Sequence, residues 1–239
     1  MKQKFTARFA MTLAAMAAMS PLALGQTQIT DQAGLAAMAE NPSGSYELAS
    51  DIVLTGTWQP VGSESAPFTG SLDGKGHTIS GLYVTNPSWS GLFGCISGGS
   101  VSNLVIAQAY VKTDENQGEH VGILAGRAGQ GATISGVFTS GYVFGRDHVG
   151  GIVGDAGEGS ATVTNCMSTA YVYSTSYQAG GIAGWSKGTV TIANNLFLGR
   201  VFNGGFGGAG GIVGFVEDGT TTVSGNVCAA STIVGPTGE

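Results

Sequence analysis

Charge is scarce in this chain. Asp, Glu, Lys and Arg together make up 10% of its 239 residues. The basic side chains form no stripe or cluster, which excludes the electrostatic footprint of a nucleic-acid binder. No 3.6-residue apolar period runs through the sequence, and its 42 glycines oppose helical repeats. Cysteine is limited to Cys95, Cys166 and Cys228. An odd count leaves at least one thiol unpaired unless it bonds another chain. All three are read as small apolar residues of the interior, and coil spacing places Cys166 and Cys228 too far apart to bond each other. Low charge with abundant Ser, Thr and Gly is also a signature of disorder. The 42% hydrophobic content and the regular Ile and Val placement argue against that.

Residues 1–25 read as a secretory signal peptide. Lys2, Lys4 and Arg8 precede an apolar run from Phe9 to Leu24, and Ala23-Leu24-Gly25 offers small residues for cleavage before Gln26. That run is too short for a membrane span, and no second one follows. Without those three cations, 6 basic side chains face 15 acidic ones, a net charge of −9. The expected location is secreted or cell-surface.

What is present is a repeat. Gly91-Leu92-Phe93-Gly94, Gly122-Ile123-Leu124-Ala125, Gly151-Ile152-Val153-Gly154, Gly181-Ile182-Ala183-Gly184 and Gly211-Ile212-Val213-Gly214 stand 31, 29, 30 and 30 residues apart. A period this regular marks a solenoid whose units bury apolar faces only against their neighbours. Three short strands are expected per unit. The first is the Gly-Ile-Val-Gly segment, whose second position (Leu92, Ile123, Ile152, Ile182, Ile212) points inward. The second carries Val101, Ile134, Val163, Ile192 and Val223. Two residues later stand Asn103, Gly136, Asn165, Asn194 and Gly225, the residue types that accept a left-handed backbone, so a sharp corner is expected there. Stacked asparagines would bond amide to amide along that corner. In the third strand Val111, Val143, Val172 and Val201 point inward, because Arg200 does not suit a dry core. Tyr110, Tyr142 and Tyr171 then point outward, with Phe144, Tyr173 and Phe202 beside them.

These features describe an all-β chain, a parallel β-helix with about thirty residues per coil. Residues 26–90 form an N-terminal cap and the first coils. Asp31 to Ala39 is a short amphipathic helix with Leu35 and Met38 on one side, placed to cover the open end. Tyr46 to Leu54 and Phe68 to Val84 supply the first strands, turning at Asp73-Gly74. Residues 91–239 form five coils. Past Thr232-Ile233-Val234, either the tail Gly235 to Glu239 covers the last coil or the chain is part of a longer one.

The units Gly150-Gly151-Ile152-Val153-Gly154, Gly180-Gly181-Ile182-Ala183-Gly184 and Gly210-Gly211-Ile212-Val213-Gly214 resemble GLUG-motif repeats. So do the lead-in segments Trp58-Gln59-Pro60-Val61-Gly62 and Phe68 to Leu82. The second repeat departs from the pattern, with Val121 for the first glycine and Ala125 for the last. The resemblance implies a right-handed β-helix in a bacterial surface or secreted protein, often a module of adhesin-like chains or of large surface proteases, with no catalytic residues of its own.

The expected function is therefore a non-catalytic, adhesin-like or structural surface module, without cofactors, whose partner is a glycan or a cell-surface protein. The outward column Tyr142, Phe144, Tyr171, Tyr173 and Phe202 is the candidate binding face. Glu119-His120 and Asp147-His148 recur on successive coils, a donor set that suits a divalent metal, but a solvated turn of ordinary polar residues is the favoured reading and no metal is expected, because the next coils place Gln178 and Gly208 there. The alternatives are a carbohydrate-active β-helix enzyme of polysaccharide lyase or hydrolase type, and an ice-binding face on the column Thr133, Thr162, Thr191 and Thr222. Against an enzyme, Asp51, Asp73, Asp114, Asp147, Asp155 and Asp218 fall at different coil positions. His77 reads as a turn residue without a partner. Gly129-Gln130-Gly131 and Gly157-Glu158-Gly159 read as hairpin-like excursions.

Overall fold

The computed structural model describes residues 25–85, 88–113 and 118–235. Residues 1–24 of the segment read as a signal peptide and the tail after Gly235 lie outside them, as does Asp114. Each inter-strand pairing among the described residues is parallel, as a solenoid requires. The strands fall into three sheets of 10, 4 and 11. The column Leu92, Ile152 and Ile182 is fully buried, and so are Val101, Ile134, Val163 and Ile192. Val111, Val143, Val172 and Val201 are also buried. Three aliphatic columns thus meet in one continuous core, two of them placed by strand alternation.

The expected corner is present in every coil. Asn103, Gly136, Asn165, Asn194 and Gly225 all have φ between 51° and 64°. The asparagine ladder, however, lies one residue later. Asn195 Nδ2 donates to Asn226 Oδ1 at 3.0 Å and to the Val163 carbonyl at 2.9 Å, and Asn195 Oδ1 accepts from the Cys166 N–H. The corner residue turns its side chain outward, so its successor is the one that reaches the next rung.

The strands are divided differently from the sequence expectation. Gly151-Ile152 is a bend, and the strand begins at Val153. From there it runs unbroken through Thr164, joining the two segments read as separate. Ala183–Ala193 and Val213–Ser224 do the same. Gly157-Glu158-Gly159 is a bulge inside this strand, with Glu158 at φ 55°, rather than a hairpin. The third sheet is the set of short strands Glu119–Gly122, Asp147–Gly150, Ala179–Gly180 and Ala209–Gly210. Its glycines are obligatory. A Cβ on Gly150, Gly180 or Gly210 would lie 1.8–1.9 Å from the carbonyl oxygen three residues on.

The second repeat is slipped by one residue. Ala125 pairs with Phe93 and with Val153, so Leu124 occupies the aliphatic column and Ile123 takes a glycine's place. Both are buried, which is why apolarity alone does not reveal the slip.

The N-terminal helix spans Gln32–Ala36 and continues as a 3-10 turn over Ala37–Ala39. Asp31 caps it, accepting from the Gly34 N–H at 2.8 Å. Leu35 and Met38 are fully buried against the first coil. At the other end Val223, Val227 and Ile233 are exposed. Cys228 belongs to that last coil and is exposed too, unlike buried Cys95 and Cys166; all three thiols are free.

Candidate functional site

Two rows of side chains project outward from the coils. The first is the tyrosine strip. Tyr83, Tyr110, Tyr142 and Tyr171 pair rung to rung, with centroid separations of 5.3–5.5 Å and interplanar angles of 14–18°. Phe202 extends the stack from Tyr171 at 5.2 Å. Phe144 and Tyr173 form a parallel pair at 5.2 Å. Tyr83 was missed in the sequence because it precedes the first full repeat. Phe144 points outward as expected yet is only 8% exposed, since Lys112 sits 5.0 Å over its ring and Tyr142 and Tyr173 flank it. The rings stack on one another, so the strip offers solvent their edges and hydroxyls rather than open faces. A shallow hollow beside Tyr171, lined by Leu198 and Arg200 among others, breaks the strip near one end.

The second row is polar and partly buried. Cys95, Arg127, Asp155, Trp185 and Phe215 occupy one register position on successive coils. Asp155 is fully buried, and Arg127 Nε donates to its Oδ2 at 3.0 Å. The Arg127 guanidinium also pairs with Glu158, reaches Glu64 at 3.6 Å, and lies 4.4 Å over the Trp89 ring. The neighbouring corner brings in His120 and His148, whose Nδ1 atoms are 3.2 Å apart. His120 Nδ1 is 3.4 Å from Asp155 Oδ2. His120 stacks on Trp89 and His148 on Trp185, at 4.1 and 5.0 Å. Trp89, His120 and His148 all hold φ between 48° and 56°. This left-handed backbone costs a non-glycine residue about 1 kcal/mol.

The sequence brought four of these side chains under suspicion as metal ligands. The structure gives the carboxylates and the imidazoles different partners. Arg146 Nη1 pairs with Glu119 at 3.3 Å and with Asp147 at 3.4 Å, while the two imidazoles face each other and Asp155. Among the described residues no group of three His, Cys, Asp or Glu side chains is arranged to hold a metal ion. His77 does have a partner, Asp51, at 3.2 Å. The threonine column is in register, but Ala193 interrupts its neighbouring row. Arg127, Trp89 and Trp185 escaped sequence reasoning, and Asp155 was set aside there among the scattered aspartates. The one-residue slip hid Arg127 from Asp155, whose alignment is plain once Ile123 is matched to Gly151.

Burial lowers the His148 pKa from the ordinary 6.5 to about 4, with the charge of His120 acting in the same direction and Asp155 and Glu217 opposing it. The unfolded chain therefore binds a proton that the folded chain refuses between those two values. Stability is full above pH 6.5 and falls as pH drops toward 4, by about 3 kcal/mol from this residue. His148→Asn tolerates the left-handed backbone and removes the titration. We expect a flatter dependence of Tm on pH between 6.5 and 4; an unchanged slope would place the pH sensitivity elsewhere.

No family model matches the chain. Part of it is 39% identical over 127 residues to halomucin of Haloquadratum walsbyi, covering 46% of this chain and 1% of that protein. Another match, 34% identical over 91 residues, covers 34% of this chain and 10% of a "Putative Gly-rich membrane protein" of Evansella cellulosilytica. The chain thus spans a small fraction of the length of either relative. Among solved structures, one described as a "putative immunoglobulin A1 protease" from Bacteroides ovatus superposes with a TM-score of 0.73 at 23% identity, covering 87% of this chain and 67% of the other. The shared fold is a β-helix. Within the described residues of this β-helix, no helix is long and apolar enough to cross a membrane.

Proposed function

We propose that this chain is a non-catalytic, adhesin-like module of an exported or cell-surface protein, and that it contacts a glycan or a surface protein through the tyrosine strip. The carrying observation is the strip itself. Five stacked rings cross five coils on one sheet, giving a long surface of repeated chemistry instead of one distinct point. Tyr83 and Tyr110 are 43% and 39% exposed, so ring edges and hydroxyls are available for contact. The basic and apolar N-terminal segment supports export, and the stretches shared with halomucin and a Gly-rich membrane protein support a surface setting.

Tyr142→Ala combined with Tyr171→Ala tests this reading. The variant is expected to stay folded, losing about 1–3 kcal/mol of ring stacking. Binding of the purified chain to a glycan array and to cultured cells is expected to fall severalfold. Undiminished binding by the folded double variant would leave the strip a purely structural ladder.

An enzymatic reading is favoured by one observation, the contact of partly exposed His120 with buried Asp155 beside Arg127. Turnover of polysaccharide or peptide libraries that is lost in His120→Asn would establish it over the binding module.

A further inference from the structure

Among the described residues, three buried side-chain oxygens lack a hydrogen-bond partner: Asp147 Oδ1, Asp155 Oδ1 and Gln178 Oε1. A buried acceptor left unpaired costs about 1–3 kcal/mol. Asp155 belongs to the cluster already described. The other two line one groove, together with Glu119, Arg146, Tyr177 and Phe215. Its volume is about 430 Å³, within the usual range for a small-molecule site. The Asp147 side chain is 10% exposed, so this carboxylate is held out of water with one oxygen unpaired.

The chemistry of the lining narrows the ligand. Both unpaired atoms are acceptors, so the ligand donates. Glu119 is engaged by Arg146, and Glu217, also in the lining, is engaged by Lys187 at 3.0 Å. Asp147 shares the same guanidinium only at 3.4 Å. His148 on the groove wall is neutral at physiological pH, its pKa being about 4. One guanidinium thus serves two carboxylates, and the groove carries an excess of negative charge shared by Glu119 and Asp147, of which Asp147 keeps a buried unpaired oxygen. Tyr177 and Phe215 border it as rings 43% and 45% exposed, offering apolar surface. A matching ligand presents a cation, several donors and one apolar face, all within a few hundred cubic ångströms.

We propose that this groove binds a protonated amino sugar, with its ammonium on Asp147, a hydroxyl donating to Gln178 Oε1, and its apolar ring face against Tyr177. The site is separate from the tyrosine strip and does not rest on it. Burial holds the Asp147 pKa above the ordinary carboxylate value, opposed by Arg146 and reinforced by Glu119. A bound ammonium favours the ionised carboxylate, so affinity falls as pH drops into the carboxylate range.

Calorimetric titration at low salt with a glucosamine trimer tests the assignment, with the N-acetylglucosamine trimer, a glucose trimer and trilysine as comparison probes. The glucosamine trimer is expected to bind and the two neutral trimers to bind at least about tenfold more weakly. Asp147→Asn is expected to weaken glucosamine binding about tenfold and Tyr177→Ala severalfold, with circular dichroism unchanged in both. The proposal is overturned by no binding of the glucosamine trimer up to about 10 mM, by equal binding of the N-acetylated trimer, or by wild-type affinity in Asp147→Asn. Trilysine binding as tightly as the amino sugar would also overturn it, in favour of a basic peptide ligand.

Discussion

Ile182→Asp is expected to unfold the solenoid. Ile182 is fully buried, and its backbone is already satisfied: its N–H donates to the Ile212 carbonyl at 2.9 Å, and its carbonyl accepts from Ile152 at 3.0 Å. A carboxyl group placed there meets the aliphatic side chains of the coils before and after and finds no free donor. Even if it takes up a proton to avoid burying charge, it loses its hydration and leaves polar atoms unpaired. The cost is about 4 kcal/mol or more, a large share of the 5–15 kcal/mol that holds a typical domain folded. Ile182→Val removes a single methylene and is expected to cost about 1 kcal/mol. Chemical denaturation of both variants checks the pair, and a wild-type midpoint for Ile182→Asp would show that this column faces solvent.

Asp155→Ala carries the second large effect. Asp155 has no exposed surface, and Arg127, which is 8% exposed, donates to it. Truncating the carboxylate leaves a guanidinium whose remaining partners, Glu158 and Glu64, have side chains 49% and 65% exposed. Breaking a buried pair in this way costs about 3–5 kcal/mol, because one charge remains uncompensated. Removing both charges costs less than the two single losses added together. Urea denaturation of Asp155→Ala, Arg127→Ala and the double variant reads this directly. Strict additivity would show that the two side chains are not coupled.

The parts of the fold visible in the sequence are those where one residue type has one physical use. The aliphatic columns repeat because every coil buries the same face. The Asn and Gly corner repeats because few other residues accept its backbone. The polar row is different. Cys95, Arg127, Asp155, Trp185 and Phe215 share a position but no chemistry, so no periodicity marks them. The slip at Ile123 removed the remaining signal, because a buried isoleucine in a glycine's place mimics the column next to it. The long strands were read as broken because the bulge at Glu158 carries glycine on both sides, the signature of a turn. His120 and His148 stand side by side as their spacing implies, and Trp89 holds the same coil position one turn earlier, where no histidine marks it, while Trp185 comes from the following strand.

In-register parallel pairing makes each coil the template for the next, and this sets what kinds of change in length the chain survives. Deleting a single residue inside Ala183–Ala193 would turn Thr189 and Thr191 toward the core and Val190 and Ile192 toward water. Removing the segment 152–181 instead joins Gly151 to Ile182, and each strand then meets the same partner face it met before. Inside the strands, insertions and deletions are therefore harmful or harmless according to whether they are whole multiples of a coil, while the turns absorb single-residue steps, as the spacings of 29 to 31 residues show. A gene of this kind changes length by large steps through duplication or loss of entire turns, and by small ones only between strands.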